Sequence, residues 1–305
     1  MRTALFLATV CFICTIAFGQ TDTQLQVNRP AAEPPMLGIQ WAKGTPQDLM
    51  RQQQSSAKRK RSPDMTYHGG VIMPTAVTEA IFWGTSWPSD TSDKIPGMDS
   101  WYQGFSNSNY AKTSDEYTGS NGQVGPTTSP LGHYIDGSAA SGGGSTSAIL
   151  AEVCKVITNS DPSGNGYYPV YTDLPRGNAN YCAYHSSGSC SGIRVEFAFF
   201  WKLDGDAGCD PQDTSGLHSQ GLAALANVSG HELSEARTDP ASPGAWYDSS
   251  GQENGDKCAW TFGAPLVTFS NGSQWKIQGE WSNYAYDHGT GYPNSLGQKG
   301  CLSGL

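Results

Sequence analysis

The sequence predicts an α+β fold, and three observations carry the prediction. Four stretches rich in β-branched and aromatic residues read as strands. Two stretches repeat apolar residues at helical spacing. The chain after Pro240 is rich in Gly, Ser and Asn with scattered Trp and Tyr, which reads as loops and short strands. The order is a strand, a helix, more strands, a long helix and a loop-rich end.

The first strand is TAVTEAIFWGTSW, residues 75–87, bounded by Pro74 and Pro88. YYPVYTDL (167–174), NYCAYHSS (180–187) and IRVEFAFFWKL (193–203) read the same way. Between the first strand and these lies STSAILAEVCKVITN, residues 145–159. Its Ile149, Leu150, Val153, Val156 and Ile157 share a helical face, and Ser145 or Ser147 can cap it. The preceding glycines (142–144) could place an anion at that helix start, but the P-loop lysine is missing. The second helix is GLHSQGLAALANVSGHELSEARTD, residues 216–239, with an apolar side of Leu222, Leu225, Ala226, Leu233 and Ala236. Pro240 ends it, because a proline disfavours helix in the residue before it.

The chain opens with Arg2 and the apolar run ALFLATVCFICTIAF, with small residues at Ala17 and Gly19. This reads as a signal peptide over residues 1–19, too short a run for a membrane anchor, and it predicts a secreted protein, extracellular or periplasmic. Residues 20–66 are polar, bear Pro and Gln, and are poor in branched apolar residues. They read as a disordered linker or propeptide, since they cannot bury enough surface to offset the entropy of ordering. The basic run KRKR at 58–61 is either a solvated charge run or a processing site. A single globular domain is then expected over residues 67–305.

Eight cysteines are present. Cys11 and Cys14 fall in the signal, which leaves Cys154, Cys182, Cys190, Cys209, Cys258 and Cys301. An even number in an exported chain predicts disulfides. Cys182 with Cys190 and Cys258 with Cys301 are the expected pairs, and no Cys-x-x-Cys zinc spacing occurs. The net charge of -9 is uneven: residues 20–66 carry seven basic and four acidic residues, whereas 67–305 carry ten and 23. An acidic domain repels nucleic acid and favours cations.

The chemistry concentrates in SGHELSEARTDP, residues 229–240. On a helix, His231 and Glu235 share a face one turn apart, and Glu232 lies about 100° round. Zinc peptidase helices place two ligands in this way and use the adjacent glutamate as general base. Zinc accepts carboxylate oxygen as well as imidazole nitrogen. The fold expectation sharpens to a zincin-like mixed sheet with two main helices and a disulfide-bearing C-terminal part. Glu253, 18 residues beyond Glu235, is the first choice for a third ligand and Asp239 the second, with Asp256 close by. His185 and His218 rank below them. Asp204, Asp206, Asp210 and Asp213, in LDGDAGCDPQD, offer oxygens to calcium, although the spacing matches no standard loop and a plain turn-rich loop accounts for it. Nine Trp, 14 Tyr and ten Phe could include exposed rings that stack on sugars; most belong in a core.

GHELSEARTDP, AWYD and ENGDKC, followed by Trp281 and Cys301, resemble the phosphate-induced protein 1 (EXORDIUM-like) family. CAYH at 182–185 and AIFWGTSW at 80–87 resemble that family's motifs too, with Ala183 and Asn254 as departures. The resemblance spans residues 67–301 as scattered motifs and implies secretion, with a role in cell-wall growth signalling in plants and no settled catalysis. Two functions are therefore expected. The first is a secreted zinc metallopeptidase acting on a peptide or protein, with His231, Glu235 and Glu253 as ligands, Asp239 or Asp256 as substitutes, and Glu232 as base. The alternative is a secreted, non-catalytic module that binds cell-wall polysaccharide or signals, with a structural metal or none.

Overall fold

A computed structural model describes residues 33–57, 62–241 and 243–304 of the chain. The expected signal peptide, Cys11, Cys14 and the basic run at 58–61 lie outside the described residues. Six strands form one mixed sheet: β1 (Leu37–Trp41), β2 (Val77–Trp83), β3 (Ser129–Asp136), β4 (Gly166–Pro175), β5 (Tyr181–Cys190) and β6 (Ile193–Lys202), in the order β1-β5-β6-β4-β2-β3. β6, β4, β2 and β3 run parallel. β5 is antiparallel to β6, and β1 to β5. The middle strands β4 and β6 are buried on both faces, from Tyr167 to Tyr171 and from Val195 to Phe200. That is why they read as nearly continuous apolar runs rather than alternating ones, with Glu196 the one charged residue in them.

Seven α-helices accompany the sheet among the described residues: α1 (Pro46–Ala57), α2 (Lys94–Phe105), α3 (Asn109–Lys112), α4 (Thr146–Val156), α5 (Gln220–Thr238), α6 (Asn254–Lys257) and α7 (Asn283–His288). Side chains alternate faces along a strand. On β5, Gly188 meets Leu150 of α4 and Cys190 is bonded to Cys154 of α4, so α4 covers the even-numbered face. His185 points to the other face, where α5 lies. α5 begins at the N-cap Ser219, whose side chain accepts the Leu222 N–H, and it ends at Asp239 before Pro240. Every residue from Gly221 to Thr238 is buried, so the helix has no solvent side. α2 packs close to it because Gly97 has no side chain to collide with Leu222, whose Cδ2 would lie 2.3 Å from an added Cβ.

The structure corrects three expectations. The folded unit runs from Glu33 to Leu305, so the domain does not start near Tyr67. LGIQW forms β1 with alternating burial, and α1 follows it; five residues in a polar context are too few to show a periodicity. His218 precedes the N-cap of α5 and stacks on Trp275 rather than riding the helix. Cys182 does not pair with Cys190. The two lie eight residues apart on one extended strand, about 26 Å, whereas a disulfide needs α-carbons within about 7 Å. The bonds are Cys154–Cys190, Cys182–Cys209 and Cys258–Cys301, the last as expected.

The acidic loop is turn-rich, as its sequence suggests. Asp204 pairs with Lys94 at 2.9 Å, and Asp206 holds Arg176 at 2.6 Å and 2.9 Å. Asp210 and Asp213 cap turns through the N–H groups of Gln212 and Ser215. Among the described residues the four do not come together as one group of possible ligand atoms. No helix among the described residues is long and apolar enough to cross a membrane.

Candidate metal centre

α5 carries His231, Glu232 and Glu235 into the interior with no exposed surface on any of them. The sheet supplies His185 from β5 and Glu196 from β6. The turn entering α6 supplies Glu253, its N-cap, whose carboxylate shares a capping box with Asp256. The possible ligand atoms come together in two groups that share one member. One is His185, Glu235 and Glu253; the other is His231, Glu232 and Glu235. Within each group the atoms lie within 4.8 Å of one another. His231 and Glu253, expected to bind the same ion, fall in different groups.

The polar atoms of this cluster are mostly unsatisfied. His185 Nε2, His231 Nε2, both oxygens of Glu232, Glu235 Oε2 and Glu253 Oε2 are buried without a hydrogen-bond partner. The contacts between them are close but not aligned as hydrogen bonds: His185 Nε2 lies 3.3 Å from Glu253 Oε2, and His231 Nε2 lies 3.1 Å from Glu235 Oε2. A buried polar group without a partner costs roughly 1–3 kcal/mol, and more when it is charged. Several such atoms aimed at one place are what a cation would satisfy. The His/Glu groups could therefore hold a metal ion.

The groups behind the two imidazoles differ. Glu196 Oε1 lies 2.7 Å from His185 Nδ1. When Glu196 is ionised it accepts from Nδ1, and a neutral His185 ring then keeps its lone pair on Nε2, the form a metal ligand requires. Gln278 faces His231 Nδ1 at 3.1 Å through its amide nitrogen, which also donates to the Gly255 carbonyl at 2.9 Å. An amide nitrogen donates, so His231 Nδ1 accepts and the ring proton sits on Nε2, beside Glu235. Glu235 is steadied a second time by the Asp256 N–H, 2.8 Å from Oε1.

The electrostatics are those of several acids crowded together away from water. Burial drives the carboxyl pKa values of Glu232 and Glu253 well above the usual range, and neighbouring carboxylates add to it. Burial raises Glu196 to about 8 and Asp239 to about 6. Burial also raises Glu235, but His231 and His185 beside it outweigh that and hold it below its ordinary value. Burial lowers His185, yet Glu196 more than offsets it and the net shift is upward. Asp256 is raised by burial despite Arg51, its ion-pair partner at 2.9 Å.

Asp239 caps the C-terminus of α5 and accepts the Ala245 N–H. It lies near the cluster but in neither ligand group. Asp256 likewise braces Glu235 and binds Arg51 rather than joining a group. Sequence reasoning ranked His185 low and missed Glu196, Gln278 and Arg51. Only the alternation of β5 could have shown His185 facing α5. The others come from elements whose pairing no local pattern displays. Comparison of the chain with protein-family models, curated proteins and solved structures gives no match.

Proposed function

We propose that this chain is a secreted, zinc-dependent hydrolase of peptide bonds, a variant of the zincin plan in which the helix contributes Glu235 to the metal and His231 stands beside it. The convergence of unpartnered buried atoms on Glu235 carries the reading. His185 Nε2, Glu235 Oε2 and Glu253 Oε2 form a nitrogen-and-oxygen set that zinc accepts, and its two positive charges balance two carboxylates. When bound, zinc would polarise the scissile carbonyl and acidify the attacking water. Glu196 fixes the ring of His185. The Asp256 N–H holds Glu235 through Oε1, and His231 lies beside its other oxygen. Glu232, whose buried carboxylate has no side-chain partner, takes the proton from the attacking water and passes it to the leaving amine. Three disulfides accord with an oxidising, extracytoplasmic location, as does the resemblance to the phosphate-induced protein 1 family.

Elemental mass spectrometry of the purified chain tests the ligand set. About one zinc per chain is expected, lost in His185→Ala and in Glu253→Gln but largely kept in His231→Ala. Glu232→Gln keeps the metal, and its casein hydrolysis, assayed before and after limited trypsin treatment, falls by roughly 10²–10⁴-fold. A wild-type chain that takes up no metal from supplied zinc sinks the proposal. The complete burial of the cluster also suits a closed structural site. Metal retention without hydrolysis in either form would favour that second reading, a binding or signalling module.

A further inference from the structure

The two groups of possible ligand atoms share Glu235, so something must decide which of them takes the ion. The His231 group contains Glu232, and an ion drawn into it would turn that base into a ligand. Whether His231 can bind depends on which ring nitrogen carries the proton. A neutral imidazole ligates only through the other nitrogen, and the choice is set by the hydrogen bond made behind the ring.

Gln278 stands behind His231. It is buried, in the irregular stretch 276–279. Its backbone N–H donates to Asn227 Oδ1 at 2.8 Å, and its side chain reaches His231, one turn further along α5. Two main-chain groups fix which way the amide faces. The Trp260 N–H can only donate, and it lies 3.2 Å from Oε1. The Gly255 carbonyl can only accept, and it lies 2.9 Å from Nε2. Exchanging the oxygen and nitrogen would set N–H against N–H and oxygen against oxygen. Gln40 Nε2 adds a second donor to Oε1 at 3.4 Å. Trp260 holds φ +58°, a left-handed backbone that bulky residues rarely adopt, and its N–H is the one that meets Oε1. The amide nitrogen also faces His231 Nδ1 at 3.1 Å, so Nδ1 accepts. The proton of the neutral ring is then on Nε2, which lies 3.1 Å from Glu235 Oε2. His231 presents a hydrogen to the cluster rather than a lone pair.

We propose that Gln278 is a positioning residue that withholds His231 from the ion. By keeping the ring proton on Nε2 it directs the ion to His185, Glu235 and Glu253 and leaves Glu232 free to act as base. The inference rests on the metal-dependent hydrolase reading above. Methionine matches glutamine in length but has no amide, so Gln278→Met removes the donor. The Gly255 carbonyl shares that amide nitrogen with the ring, and an added Cβ on Gly255 would lie 2.9 Å from His231 Nδ1. Once freed, the carbonyl is an acceptor beside Nδ1. The ring proton moves to Nδ1, and Nε2 gains the lone pair that a ligand needs.

The first measurement is made on the metal-free wild-type chain. Long-range nitrogen–proton NMR reads which nitrogen of each imidazole is protonated, and the His231 signals are assigned by their loss in His231→Ala. His231 should carry its proton on Nε2 in the wild type and mostly on Nδ1 in Gln278→Met. The second uses one equivalent of copper(II) as the probe, with displacement by zinc showing that the site is shared. Electron spin echo modulation counts the imidazoles on the copper. One is expected in the wild type, two in Gln278→Met, and one again when His231→Ala is added. Zinc affinity, from competition with a chelator, should be nearly unchanged by Glu232→Gln in the wild-type background and at least ten-fold weaker in the Gln278→Met background. A His231 proton on Nδ1 in the wild type overturns the proposal, as does a wild-type copper centre that loses an imidazole in His231→Ala. A folded Gln278→Met with the wild-type tautomer and imidazole count overturns it too. Where that variant does not fold by circular dichroism, the two wild-type measurements decide. A chain that takes up neither metal sinks the hydrolase reading, whereas the tautomers, read without metal, still decide what Gln278 does to the ring.

Discussion

Glu235 stands between two histidines that are prepared for different tasks. Behind His185 is a carboxylate, and behind His231 an amide nitrogen, so with Glu196 ionised the proton sits on opposite nitrogens of the two rings. Sequence spacing alone put His231 first, because i and i+4 share a helix face. It carried no information about which groups would stand behind each ring. The same interior holds Glu280, which accepts the Tyr110 hydroxyl at 2.6 Å and the Asn254 amide at 3.0 Å. Burial raises its carboxyl to about 7, from 4.5. Between those values the folded chain keeps a proton that the unfolded chain has released. Its stabilising contribution is therefore full below about pH 4.5 and is lost as pH rises towards about 7. The loss amounts to about 3 kcal/mol at roughly 1.4 kcal/mol per pH unit. Urea unfolding of the metal-free chain between pH 5 and 8 should show wild-type stability falling with pH. Glu280→Gln, neutral throughout, should flatten that fall, and an unchanged slope would remove Glu280 from the account.

At the scale of elements, long apolar patterns were legible and short or polar ones were not. β2, β4, β5 and β6 follow their β-branched and aromatic runs, and α4 and α5 follow their helical spacing and serine caps. α2 was hidden by Pro96 and its glycines. In the structure Pro96 falls in the first turn, where its missing N–H forfeits no intrahelical bond, and Gly97 is used for the approach to α5. β1 was hidden because its partner is distant in sequence and its inward residues are Gly38 and Gln40, neither of which looks like core. α5 itself is sealed on all sides, so its start depends on local bonding. The Ser219 hydroxyl accepts the Leu222 N–H and also donates to Asp93 Oδ1 at 2.6 Å. Ser219→Ala should lower stability by about 1–2 kcal/mol, the upper part of the usual N-cap range. Chemical denaturation would measure it, and Ser219→Asn should recover a part of the loss that an unrelated surface serine would not.

Across the whole molecule two of the three disulfides lie on opposite faces of the sheet. Cys154–Cys190 ties α4 to the end of β5 on the side of the sheet away from α5. Cys258–Cys301 lies on the site side, directly after α6, whose Glu253 and Asp256 reach the cluster. The two close loops of similar length, with sequence separations of 36 and 43, so in the chain-entropy view each stabilises by about 4 kcal/mol. Their effects on the metal should differ. Replacing Cys258 and Cys301 together by Ser frees the segment that carries Glu253 and lets the capping turn move against α5. Replacing Cys154 and Cys190 loosens a helix with no residue in either ligand group. Unfolding in urea should show comparable losses for the two double variants. Zinc affinity, measured by competition with a chromophoric chelator under conditions where both remain folded, should fall at least ten-fold for the Cys258/Cys301 variant and stay near wild type for the other. Equal zinc affinities in the two would mean that Glu253 is held by the packing of α6 on α5 alone, through the Asp256 N–H on Glu235 and the Gln278 bridge to Gly255, and that the neighbouring disulfide serves stability only.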